Sequence, residues 1–107
     1  MTDTPTTTLA VFTTIDSEDG ARDLARRAVS EKLAACVQIT AIASVYDWDG
    51  LREEPEWRVL FKTTKDGYAA LEEMILDAHP YDEPSLWAHE IAAGSGGYLA
   101  WIAESVG

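Results

Sequence analysis

Two histidines, one cysteine and an excess of carboxylates are the side chains of this sequence most able to do chemistry. His79 stands before Pro80, at the end of an apolar run. A neutral imidazole there can offer a ring nitrogen to a metal ion. One imidazole makes no tight transition-metal site by itself, because such sites need several converging donors. His89 falls inside a strand-like stretch and reads as a strand residue. Cys36 is the sole thiol, so neither an intramolecular disulfide nor a four-thiolate metal site is available. It reads as a small hydrophobe at a strand start, with Lys32 the adjacent cation. Tyr46, Trp48, Trp57 and Tyr81 are aromatics able to line a ligand cleft or to anchor an interface. Lys62 lies in a largely apolar strand, where it could receive an anion. Its simpler role is an ion pair with Glu53, Glu54 or Glu56. Glu53-Glu54 and Asp82-Glu83 read as solvated surface rather than an acid–base pair. Gly94-Ser95-Gly96-Gly97 lacks the spacing and lysine of a phosphate loop and reads as a turn.

The elements that position these groups follow from periodicity. Leu9 to Thr14 is apolar and partly β-branched, a strand. Asp16-Ser17-Glu18-Asp19 supplies an N-cap and first-turn acids. An amphipathic helix follows from Glu18 to Leu33, its stripe formed by Ala21, Leu24, Ala25, Ala28, Val29 and Leu33. Cys36 to Thr40 alternates as a strand. The alternation slips at Ala41-Ile42-Ala43, which predicts a bulge or bend, and resumes from Ser44 to Trp48. Asp49-Gly50 marks a hairpin. The return strand runs from Leu51 to Thr63, with Trp57, Val59 and Phe61 on one face. Pro55 places its first half at an edge or bend. Thr64 or Asp66 caps a second helix with the stripe Leu71, Met74, Ile75 and Ala78, which ends at His79-Pro80. Ser85 to Ile91 is the fourth strand. Tyr98 to Val106 is a short last helix whose apolar side carries Leu99, Trp101 and Ile102.

Two strand–helix–strand units joined by a hairpin predict an α+β, ferredoxin-like βαββαβ sandwich, with a long β-hairpin and a C-terminal helix. Both main helices fall on one face of the sheet. The other face is expected to be bare, and with the hairpin aromatics it predicts self-association. Residues 1–8 are expected to form a flexible Thr-rich tail before one domain over 9–107.

With 107 residues there is room for one core. Nineteen acids against eight Lys and Arg give a formal charge of −11. That field opposes nucleic acid and anionic membranes and favours cations. The first residues lack the basic and apolar segments of a secretory signal, and no run reaches membrane-spanning length. The expectation is a cytoplasmic protein. The loop Thr14-Ile15-Asp16-Ser17 holds no arginine to cradle a phosphate, so acylphosphatase chemistry has no electrophile. An RNA-recognition role needs a basic surround that the acidic chain lacks.

Five segments, in order, carry a resemblance to one family. They are Glu31-Lys32-Leu33-Ala34-Ala35-Cys36-Val37, the hairpin Ser44-Val45-Tyr46-Asp47-Trp48-Asp49-Gly50, Phe61-Lys62-Thr63-Thr64, His79-Pro80-Tyr81-Asp82-Glu83-Pro84, and Tyr98-Leu99-Ala100-Trp101-Ile102. Together they resemble the CutA proteins of divalent cation tolerance. The resemblance implies a homotrimer with hairpins reaching to neighbouring subunits, no catalytic activity, and a link to copper or another divalent cation. Of the copper-ligand positions it implies, only His79 carries a donor; the other two are Thr13 and Ala78. The family's likeness to PII signalling trimers implies an alternative, a small ligand held between subunits by Tyr46, Trp48, Trp57, Lys62 and Tyr81.

Overall fold

A computed structural model describes residues 6–107, so most of the expected tail lies outside the described residues. Strand β1 (Thr8–Ile15) leads to helix α1 (Glu18–Ser30), then to strands β2 (Cys36–Asp47) and β3 (Leu51–Thr64). Helix α2 (Tyr68–Ala78), strand β4 (Leu86–Glu90) and helix α3 (Gly96–Ser105) complete the order. β1 begins at Thr8, inside the expected tail, because Thr8 pairs with Thr64 and is buried.

The four strands form one sheet in the order β2-β3-β1-β4, and every pairing is antiparallel. That is the ferredoxin-like arrangement. Opposed residues share a face, so the register sorts the side chains. Leu9, Val11 and Ile15 of β1 and Trp57, Val59 and Phe61 of β3 face one side. There they pack with Ala21, Leu24 and Ala28 of α1 and with Leu71, Met74 and Ile75 of α2. Val11, Val59, Phe61, Leu71 and Ile75 are completely buried, the centre of the core.

Helix α1 starts where Ser17 accepts a hydrogen bond from Gly20 N–H. Lys32, at φ +59°, then turns the chain toward β2, so α1 stops at Ser30 and Leu33 packs from the loop. Val29 is exposed rather than part of the stripe. Helix α2 begins on Gly67. No side chain caps the helix itself, but Thr64 Oγ1 accepts from Gly67 N–H. Its expected stripe residue Ala78 is exposed in the last turn. Trp101 of α3 also faces outward, stacked on Tyr98, while Ile102 is buried.

Two expectations about the sheet are corrected. First, there is no bulge at residues 41–43: the β2–β3 ladder runs in unbroken register from Cys36 opposite Lys62 to Asp47 opposite Leu51. The apolar pattern slips there because the ladder passes beyond the helices, and one core no longer selects which face is apolar. Second, the face away from α1 and α2 is not bare. Helix α3 packs on β3 and β1 from that side, and Ala10, which faces it, is buried.

The hairpin outruns the rest of the sheet. β1 pairs with β3 only from Trp57 to Thr64, so residues 51–56 of β3 bond to β2 alone. Pro55 falls in that stretch, at an edge as its missing N–H requires. Asp49 and Gly50 take positive φ, +55° and +108°, at the turn. The chain measures 56 × 25 × 20 Å with a radius of gyration of 14.9 Å; a compact chain of this length would have about 13 Å.

Candidate functional site

β1 and the loop after α2 bring the proposed donor positions together. Pro80 holds His79 in extended geometry at the end of α2. Its ring then turns inward, 8% exposed. His79 Nε2 lies 2.8 Å from the Thr14 carbonyl oxygen, and Tyr81 N–H donates to Nδ1 at 3.2 Å. With Nδ1 accepting, Nε2 is the nitrogen left to donate to the Thr14 carbonyl, so both ring nitrogens are engaged. Thr13 is fully buried, and its hydroxyl donates to the Ser85 carbonyl at 2.6 Å. Ala78 offers no donor. Thr13 and His79 therefore stitch β1 to the segment between α2 and β4.

Those residues do not fit a resident copper ion within one chain. His79 has no free lone pair, and the two neighbouring positions carry a committed hydroxyl and a methyl group. Among the described residues no three of His, Cys, Asp and Glu gather as a metal site.

Tyr81 leads to the next cluster. Its hydroxyl donates to Glu56 Oε2 at 2.8 Å, and its ring meets the His79 ring edge-on at 4.7 Å. Glu56 is a carboxylate only 7% exposed. Tyr46 donates to Glu54 Oε2 at 2.9 Å from the same side of the hairpin. Burial, foremost, and the bond to Glu56 push the Tyr81 hydroxyl well above the ordinary tyrosine range. The bond to Glu54 raises Tyr46. Glu54 and Glu56 were missed as tyrosine partners in the sequence. The signal was the turn: centring the hairpin on Asp49 places Tyr46 opposite Arg52, one diagonal step from Glu54.

The five expected cleft residues do not meet in one chain. Tyr46 and Tyr81 approach the same pair of glutamates. Trp57 sits on the opposite face, packed on the core. Trp48 stands at the hairpin tip, 68% exposed. Lys62 is six residues along β3 from Glu56, about 20 Å away along the strand. Its ammonium bonds Tyr98 Oη at 2.9 Å and lies 5.1 Å from that ring's centre. The expected ion pair with Glu53, Glu54 or Glu56 is absent among the described residues. All three ion pairs found there lie on α1 or its C-terminal end. Cys36 is half-buried and faces Lys62 across the ladder, a cation that spacing along the chain does not reveal.

A four-stranded antiparallel ferredoxin-like sandwich with an overlong hairpin defines a class of small α+β proteins. Comparison narrows the class to a family. The profile of the CutA1 divalent ion tolerance protein matches residues 9–105. The divalent-cation tolerance protein CutA of Thermus thermophilus is 40% identical over 99 residues, 91% of this chain and 96% of that one. The solved structure of CutA1 from Oryza sativa superposes with a TM-score of 0.93 at 34% identity, covering 98% of each chain. CutA from Synechococcus elongatus, solved in complex with Bis-Tris, gives 0.89 at 36% identity, covering 94% of this chain and 95% of that one. The chain belongs to the CutA1 family of divalent ion tolerance proteins.

Proposed function

We propose that this chain acts in divalent-cation tolerance as a homotrimer without catalysis, and that the assembly is the working unit. The hairpin carries this reading. Residues 51–56 leave one backbone edge unpaired, and Val45, Tyr46, Trp48 and Leu51 are exposed around the turn. A lone two-stranded ribbon is marginal in water. Seated on neighbouring copies, it gains a third strand or an apolar bed, and the aromatics gain cover. Closed threefold symmetry lets each hairpin serve the next subunit. A cation response then rests on the assembled surface rather than on a copper site at His79. The test is a calorimetric copper(II) titration of wild type beside His79→Ala, with the mass of each measured. A trimer whose copper heats are the same in both proteins supports the reading. A saturable site lost in the variant would return His79 to the role of ligand.

A second reading has its own observation. The Tyr46–Glu54 and Tyr81–Glu56 pairs offer carboxylates and hydroxyls on one side of the hairpin, suited to a hydroxylated amine. The Synechococcus relative was solved with such a compound, Bis-Tris. A small ligand held there between subunits would make the trimer a signalling module of PII type. A thermal-shift screen with Bis-Tris and other hydroxylated amines tests it. Stabilisation lost in Glu56→Gln would support the reading, and no shift in wild type would remove it.

A further inference from the structure

We infer that Asp49–Gly50 is a site of spontaneous backbone modification, the one Asp-Gly step at which the folded chain converts aspartate to isoaspartate. The chemistry is internal to the chain. The Gly50 nitrogen attacks the side-chain carboxyl carbon of Asp49. A carbon–nitrogen bond forms, and one carboxyl oxygen leaves as water with the amide proton and a proton from solvent. Water then opens the five-membered imide at either carbonyl. One opening restores Asp49. The other routes the main chain through the former side-chain carboxyl and leaves the old main-chain carbonyl as a free carboxylate. Water lost in the first step returns in the second, so no oxidant, metal or second substrate is needed. Glycine permits the attack because it has no side chain beside the nitrogen to block the approach.

The sequence holds three such steps, Asp19–Gly20, Asp49–Gly50 and Asp66–Gly67, and the fold separates them. Asp19–Gly20 lies in the first turn of α1, where Gly20 N–H donates to Ser17 Oγ and the next residue, Ala21, is completely buried. A methyl group on Gly20 would fall 2.9 Å from Ile15 Cδ1 and from Ser17 Oγ, so the backbone is packed against both. Asp66–Gly67 leads into α2. Gly67 N–H donates to the Thr64 carbonyl and to Thr64 Oγ1. A methyl group there would fall 2.7 Å from Val106 Cγ1. Neither step can swing unless a helix end leaves its packing.

Asp49–Gly50 lacks that support. Asp49, Gly50 and both flanking residues are exposed at the end of the hairpin. Nothing lies within 4 Å of the place a side-chain carbon on Gly50 would take. The Gly50 N–H is held by the exposed Asp47 side chain, whose Oδ1 accepts at 3.2 Å, and the Gly50 carbonyl accepts from Trp48 N–H at 3.0 Å within the turn itself. Water replaces such surface bonds at little net cost. Asp49 stands at φ +55°, a region that L residues other than glycine seldom hold. Below the turn, residues 51–56 pair with β2 alone, and a two-stranded ribbon is marginal in water. Its opening is local. The turn therefore samples the rotations that bring nitrogen to carboxyl carbon far more often than either helix end does. The product carries one more backbone carbon in the turn, which shifts Trp48 against Leu51.

Ageing of the wild-type protein at neutral pH and physiological temperature tests this, with labelling by isoaspartyl methyltransferase located by peptide mapping. The same chain unfolded in urea and the variant Asp49→Ser are aged beside it. In the folded protein, label should collect at residues 49–50 to about tenfold or more the level at either other step. In urea all three steps should take up label at comparable rates, because the fold no longer separates them. Asp49→Ser changes an exposed position, so it should keep its circular dichroism and lose the label found in the folded protein. Two results overturn the inference in folded wild type: no label at residues 49–50 when the urea-treated chain is labelled there, or label spread evenly over the three steps. Label that persists at the turn in Asp49→Ser overturns it as well.

Discussion

His79 and Tyr81 show how much one loop side chain can settle. His79→Ala would leave the Thr14 carbonyl and Tyr81 N–H without their partners in a nearly buried place. The expected cost is about 2–3 kcal/mol of stability, read as a lower urea midpoint with an unchanged slope. Tyr81→Phe removes the one hydrogen bond found on the buried Glu56 carboxylate and should cost about 1.5–3 kcal/mol. Its pH dependence has a definite sign. The hydroxyl of Tyr81 is raised in the folded chain above the unfolded value of about 10. Its contribution is complete below that value and is lost as pH climbs toward the folded one. Alkaline unfolding above about pH 10 should therefore be steeper for wild type than for Tyr81→Phe; parallel curves would contradict this. At this scale the sequence was only half legible. His79, Tyr46 and Tyr81 stood out by type. Their partners are a backbone carbonyl from β1 and glutamates across a hairpin, which spacing along the chain does not display.

The elements were far more legible, because period and turn chemistry are local. Each strand and helix could be placed from its pattern, and Asp16-Ser17-Glu18-Asp19, Asp49-Gly50 and His79-Pro80 fell at element ends. The failures share one cause. The slip at residues 41–43, the outward Val29 and Trp101, and the cover that α3 gives Ala10 all depend on what stands opposite in space. Phe61, completely buried between sheet and helices, measures the core: Phe61→Ala should cost about 3–5 kcal/mol. The hairpin tip should behave in the opposite way. Trp48 and Leu51 are 68% and 78% exposed, so Trp48→Ser with Leu51→Ser should leave the fold of one chain intact. On the proposed assembly they serve as anchors, and the double variant should weaken association by about tenfold or more. Far-ultraviolet circular dichroism together with sedimentation separates the two effects.

As a whole molecule this is a small sandwich carrying a rod. Its largest dimension, 56 Å, more than doubles the next, 25 Å, and the excess is the ribbon beyond β1. On the proposed trimer, the ribbon beyond β1 is the part of each chain that another copy completes. On that proposal a divalent-cation role belongs to the assembly and not to His79 within each chain. Light scattering of the wild-type protein at micromolar concentration and about pH 8 tests that claim most directly. The account predicts a mass of three times 11.7 kDa; a mass of 11.7 kDa would contradict it.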